Sequence, residues 1–95
     1  MGKTFHLFSG NWCSTCVTSL PEIMSTFKEL NLDKSSIFFY DVNAFKTEPK
    51  EDIAKFNIKR IPTLVVLDSE NQEVGRITEF ANNSWNKDIK ELAEK

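Results

Sequence analysis

Cysteine is scarce in this 95-residue chain: there are two, alongside three glycines, three prolines and one histidine. Two cysteines cannot staple a small secreted scaffold, which needs several bridges to replace a missing core. Two cysteines also make only half of a tetrahedral metal site, and no suitably spaced histidine completes it. A zinc or iron–sulfur module would therefore require a dimer. No apolar run approaches the roughly 20 residues that cross a bilayer. Basic clusters are missing too, since the formal net charge is −2 with both signs interspersed, so nothing attracts a phosphate backbone. Neither nucleic acid nor a membrane is expected as a partner. The first residues lack the apolar run and small-residue cleavage pattern of a signal peptide, and the expected compartment is the cytoplasm.

What the chain does have is apolar mass: 40% hydrophobic residues, eight of them Phe, enough for one ordinary core. One domain over residues 1–95 is expected. Residues 4 to 8 are β-prone and apolar, as in a strand buried on both faces, and Ser9, Gly10 and Asn11 break them. Val17, Leu20, Ile23, Met24, Phe27 and Leu30 then recur at spacings of three or four, predicting a helix to about residue 32 with this set facing the core. Pro21 should kink that helix without ending it. Residues 36 to 42 read as a second, Phe-rich core strand, closed by Asp41 and Asn43. The intervening helix makes a βαβ unit, whose right-handed crossover sets strands one and two side by side and parallel. A short helix from about residue 49 to residue 56 has Pro49 in its first turn and Ile53, Ala54 and Phe56 as its inner face. Residues 63 to 67 form the most apolar strand, and a polar turn joins them to an edge strand at 73 to 78 as a hairpin. Asn82, Asn83 and Ser84 offer caps for a last helix packed through Trp85, Ile89, Leu92 and Ala93.

The two cysteines stand as Trp12-Cys13-Ser14-Thr15-Cys16, at the junction of the first strand and the first helix. Three residues apart at a helix start, their Cα atoms come within roughly 5 to 6 Å, which is disulfide-forming distance. A dithiol there can close and reopen with little backbone movement, and such a pair is usually a working site. His6, the lone histidine, reads as a core or edge residue of the first strand.

The order β-α-β-α-β-β-α, with Trp-Cys-X-X-Cys after the first strand, Pro21 eight residues after Cys13, Asp41-Val42-Asn43 closing the second strand and Ile61-Pro62-Thr63 before the third, resembles the thioredoxin superfamily. The resemblance implies an α/β thioredoxin-like fold: a four-stranded mixed sheet, order 2-1-3-4, flanked by helices. It also implies a cis peptide at Pro62, with the Ile61 backbone facing the thiols and pairing with an extended substrate. Trp12, Arg60, Ile61, Pro62 and Thr63 become the expected substrate-binding residues, with Phe80 adding to the apolar floor. Departures are specific. Ser14-Thr15 replaces Gly-Pro, Arg60 and Phe80 stand where glycines are common, and the first strand and helix of a full-length thioredoxin have no counterpart. The buried acid beneath the thiols falls at Leu7 and its lysine companion near Phe39.

The chemistry implied is thiol–disulfide exchange. Cys13, at the helix N-terminus, meets unpaired N–H groups and the positive end of the dipole, which favour the thiolate and make it the nucleophile. Cys16, one turn inward, stays protonated until it attacks the mixed disulfide and releases the reduced substrate. Hydroxyls of Ser14 and Thr15, with help from Arg60, would stabilise the thiolate further, so the expected potential lies above that of a typical thioredoxin. Without an acid at Leu7, deprotonation of Cys16 lacks a built-in base. The expected partners are disulfide-containing proteins, with a reductase or a low-molecular-weight thiol as electron donor. The protein is expected to be a monomer that needs no cofactor beyond a redox-active Cys13–Cys16 disulfide. Two rival readings are a glutaredoxin-like reductase using glutathione, disfavoured because no Gly-Gly follows the final strand, and a binding scaffold whose thiols are incidental.

Overall fold

A computed structural model describes residues 2–95; Met1, counted in the expected domain, lies outside the described residues. The first strand, β1 (Thr4–Ser9), is buried from Phe5 through Phe8 because it is covered on both faces and paired on both edges. β2 (Ile37–Asp41) runs parallel to it on one side. On the other, β3 (Thr63–Leu67) runs antiparallel and forms a hairpin with β4 (Glu73–Thr78). The order is β2-β1-β3-β4, the mixed 2-1-3-4 sheet that was expected.

Among the described residues three α-helices flank this sheet, α1 (Ser14–Glu29), α2 (Lys50–Lys55) and α3 (Trp85–Glu94). On one face, Phe5, Leu7, Leu64, Val66 and Ile77 pack against Ile23 and Phe27 of α1 and Trp85, Ile89 and Leu92 of α3. Each fully buried large side chain there stabilises the fold by about 1.5–3 kcal/mol. Gly75 lets α3 close onto β4, since a Cβ there would stand 2.6 Å from Leu92 Cδ2. Ser84 caps α3, its side chain accepting the Lys87 N–H at 3.0 Å.

A second cluster gathers Phe8, Val42, Phe56, Ile61 and Val65 with Cys16, from the first turn of α1, at its edge. Phe8 stacks on Tyr40 with centroids 4.2 Å apart, and His6 stacks on Phe38 at 4.7 Å. His6 is a buried strand residue, as expected. Its ring nitrogens bond the Tyr40 hydroxyl (2.9 Å) and Thr4 Oγ1 (2.8 Å), and burial, followed by the nearby Lys55 charge, pushes its pKa down.

Three expectations about packing need correction. Residues 17, 20 and 24 are not on the core face of α1: Val17, Leu20 and Met24 are exposed, and the buried set is Cys16, Ile23, Thr26 and Phe27. Thr26 is accommodated because its hydroxyl donates to Glu22 O (2.8 Å) and accepts from Asn86 Nδ2 (2.9 Å). The Phe-rich β2 is not core either, since Phe38 and Phe39 are largely exposed. Both differences share a cause: β2 is an edge strand, with no further strand beyond it, so the flank of α1 beside it has nothing to cover. At α2, Pro49 takes the N-cap position instead of the first turn, and Ala54 is exposed while Phe56 is buried. α1 itself runs unbroken through Pro21.

Candidate active site

Strand β1 delivers the chain to the thiols and Gly10 turns it. The Cys13 N–H donates to Gly10 O (3.2 Å), and Cys13, extended at φ −96°, becomes the N-cap of α1. Its Sγ accepts the Cys16 N–H at 3.2 Å. A thiol thus occupies the place where a Ser or Asp oxygen usually satisfies the free N–H groups of a helix start, at the positive end of the helix dipole. The hydroxyls of Ser14 and Thr15 are not among the partners of this sulfur; the donor is the Cys16 backbone.

Cys16 is one turn inward and buried. Burial, reinforced by a hydrogen bond to Cys13, pushes its thiol up to about 12. Two thiols with different surroundings therefore lie one helical turn apart: a half-exposed sulfur at a helix start and a protonated one behind it.

The Ile61–Pro62 peptide is cis, as is Glu48–Pro49, which the sequence reading did not foresee. Ile61 O faces Cys13 Sγ at 3.8 Å. Pro62 and Thr63 are fully buried. Glu79 N donates to Pro62 O (2.7 Å), and the Thr63 hydroxyl donates to Arg60 O (2.5 Å), so both residues hold the loop in shape from inside. The Arg60 guanidinium does not reach toward the thiols: it pairs with Glu79 Oε1 at 3.2 Å. That pairing ties the loop before Pro62 to the turn after β4, where Phe80 is 66% exposed.

Trp12 is 43% exposed beside Cys13. Its indole Nε1 donates to Val42 O at 2.7 Å, anchoring the ring to the end of β2. Gly10 makes room for this: a Cβ there would lie 2.5 Å from Trp12 Nε1 and 2.8 Å from Val42 O. Gly10→Ala is expected to break the anchor and cost about 1–2 kcal/mol, read as a lowered urea midpoint with a changed Trp12 fluorescence. In the sequence Gly10 marks only the end of a strand and Phe45 is one loop residue among several, whereas in the structure Phe45 is the most exposed aromatic at 84%. Scarcity of glycine was the available signal for the first; nothing marked the second.

Leu7 is fully buried, and its register partner across the β1–β2 ladder is Phe39, 55% exposed. The two positions are direct neighbours, one inside and one at the rim.

The thioredoxin family model matches residues 4–94. The chain belongs to the thioredoxin family. Among solved structures, an exposed lipoprotein thioredoxin of Streptococcus pneumoniae superposes with a TM-score of 0.76 at 19% identity, covering 98% of this chain and 84% of that one. Thioredoxin 1 of Thermosipho africanus gives 0.69 at 26% identity, covering 96% and 90%. Thioredoxin-2 of a malaria parasite gives 0.70 at 23% identity, covering 98% and 82%. No curated protein sequence matches the chain. Thioredoxin-family membership supports thiol–disulfide oxidoreductase chemistry in general terms, and disulfide-containing proteins are what this family generally acts on. Among the described residues no helix is long and apolar enough to cross a membrane.

Proposed function

We propose that this thioredoxin-family protein is a disulfide reductase in which Cys13 is the nucleophile and Cys16 the resolving thiol. The observation that carries the reading is the contrast between the two sulfurs. Cys13 Sγ stands half-exposed at the N-cap of α1, held by the Cys16 N–H, while Cys16 is buried with its proton tightly bound. A substrate disulfide meets Cys13 first. One substrate sulfur joins Cys13 Sγ and the other leaves. Cys16 then attacks Cys13, closing the Cys13–Cys16 disulfide and releasing the second substrate sulfur, and a reductase or small thiol reopens the pair. No other cofactor is needed.

Trp12 and Ile61 are the proposed substrate contacts, supported by the exposed indole beside Cys13 and by the Ile61 carbonyl that faces it. Arg60 and Phe80, joined through the Arg60–Glu79 pair, would border the same surface. A monomer acting in the cytoplasm remains part of this proposal, on the cysteine count and the mild net charge.

Trapping tests the assignment. With Cys16→Ser, mixed disulfides to Cys13 should accumulate from a native lysate and vanish on adding dithiothreitol; a variant that traps nothing, beside a thioredoxin that does, would count against it. Thr15, where proline is common, keeps a backbone N–H at the positive helix start, which supports a potential above roughly −270 mV, that of a common thioredoxin. Titration against glutathione measures it, and a value at or below that figure contradicts the expectation.

A further inference from the structure

The resolving step needs Cys16 to lose a proton that its surroundings hold firmly, and the buried residues clustered with it, Phe8, Val42, Phe56, Ile61 and Val65, are apolar and supply no base. The surroundings of Cys16 on its other side differ. A cleft of about 360 Å³ opens between the first turns of α1 and the outer end of the sheet, and Cys16, Val17, Leu20, Phe39, Tyr40 and Asp41 line it. The register explains why. Asp41 is the partner of Ser9 across the β1–β2 ladder, and Phe39 is the partner of Leu7. Leu7 packs with Ile23 and Phe27 of α1, so alternation along β2 turns Phe39 and Asp41 to the α1 side. The cleft is large enough to hold several waters.

Resting on the oxidoreductase reading, we propose that Asp41 is the proton acceptor for Cys16 during resolution, working through water in this cleft. Among the described residues, Asp41 is the only carboxylate lining it, and no hydrogen bond or ion pair engages that carboxylate. The other titratable groups facing Cys16 do not compete. Cys13 is tied up in the mixed disulfide at that moment. The Tyr40 phenol is pushed up by burial and by the Asp52 charge, so it keeps its own proton. From β3, α2 and the Pro62 loop, the neighbours Val65, Phe56 and Ile61 are apolar.

The step balances. The Cys16 proton passes to Asp41, and the Cys16 sulfur pair forms a bond to Cys13 Sγ. The bond from Cys13 to the substrate sulfur breaks, and that sulfur leaves with the electron pair. The substrate disulfide is the oxidant; Asp41 returns its proton to solvent.

An aromatic disulfide that releases a coloured thiol twice reads the two steps separately. Ellman's reagent gives one thionitrobenzoate when Cys13 attacks and a second when Cys16 resolves. For Asp41→Asn, and for Asp41→Ser as an independent variant, the first release should keep its rate. The second should slow about tenfold or more at pH 7. That gap should close as pH rises, because hydroxide then takes the proton, and Asp41→Glu should keep the fast second release. Equal second-release rates for wild type and both variants from about pH 6 to about pH 9 would overturn the proposal. So would a slowed second release that does not recover with pH, the mark of a misplaced helix. A wild-type protein that gives no second release would sink the oxidoreductase reading itself, and this inference with it.

Discussion

Cys13→Ser should reduce insulin-disulfide cleavage, driven by dithiothreitol, to the uncatalysed rate, a loss of more than about 100-fold. The substitution isolates the chemistry from the fold unusually well. Cys13 is the N-cap of α1, accepting the Cys16 N–H on its side chain, and serine is among the preferred residues at that position. A serine hydroxyl there keeps the helix start satisfied while removing the only group at the N-cap able to form a mixed disulfide. Thermal or urea unfolding should therefore shift by less than about 1 kcal/mol as turnover disappears. Equal insulin reduction by the two proteins would end the catalytic assignment and leave a thioredoxin fold serving as a binding scaffold.

A second large effect is expected from restoring the acid that the thioredoxin resemblance sought at Leu7. Leu7 is completely enclosed, facing Leu64 in one ladder and Phe39 in the other. Leu7→Asp removes a packed side chain, a loss of about 2–5 kcal/mol, and leaves a carboxyl group without a partner in the same space, which adds about 1–3 kcal/mol. Against a total stability of roughly 5–15 kcal/mol, the variant should be marginal. Its pH dependence has a definite sign. Burial raises the folded-state pKa of the new carboxyl above the unfolded value near 3.9, so the folded form holds its proton longer and stability is lost as pH rises. His6, Glu29 and Glu73, whose pKa values are lowered in the fold, titrate in both proteins, so the comparison is with wild type: the drop in urea midpoint caused by Leu7→Asp should be smaller at about pH 4 than at about pH 7. Adding Phe39→Lys, at the direct cross-strand position, should recover part of the loss through a coupling of about 0.5–3 kcal/mol. An unchanged midpoint for Leu7→Asp would show that this position is not the dry interior its packing indicates.

The site was legible in the sequence to the extent that it is local. Cys13 and Cys16 are neighbours on one helical turn, so spacing alone placed their backbones. The loop that meets them was reached by resemblance and lies where it was expected, with Ile61 O opposite Cys13. Arg60 shows where such reasoning stopped. The sequence offers it as help for the thiolate, yet Glu79, 19 residues further along, holds its guanidinium. The sequence offers Trp12 as part of an apolar floor, while its orientation is set by a carbonyl at Val42 and by the empty space at Gly10.

Periodicity, capping and turn residues specify which segments are helices and strands and which side of each is apolar, because those effects act over a few residues. They placed β1, the β3–β4 hairpin, the Ser84 cap of α3 and the dithiol at the start of α1. Whether an apolar side is covered depends on what packs against it from elsewhere in the chain, and no local pattern carries that. Leu20 and Ile23 look equivalent along α1, but one borders an open cleft and the other lies in the core. Phe8 and Phe39 look equivalent along their strands until β1 becomes interior and β2 outermost. The same assembly brings Asp41, 25 positions from Cys16 in sequence, to the cleft that Cys16 lines, because the β1–β2 register and the seat of α1 are set only when the layers close.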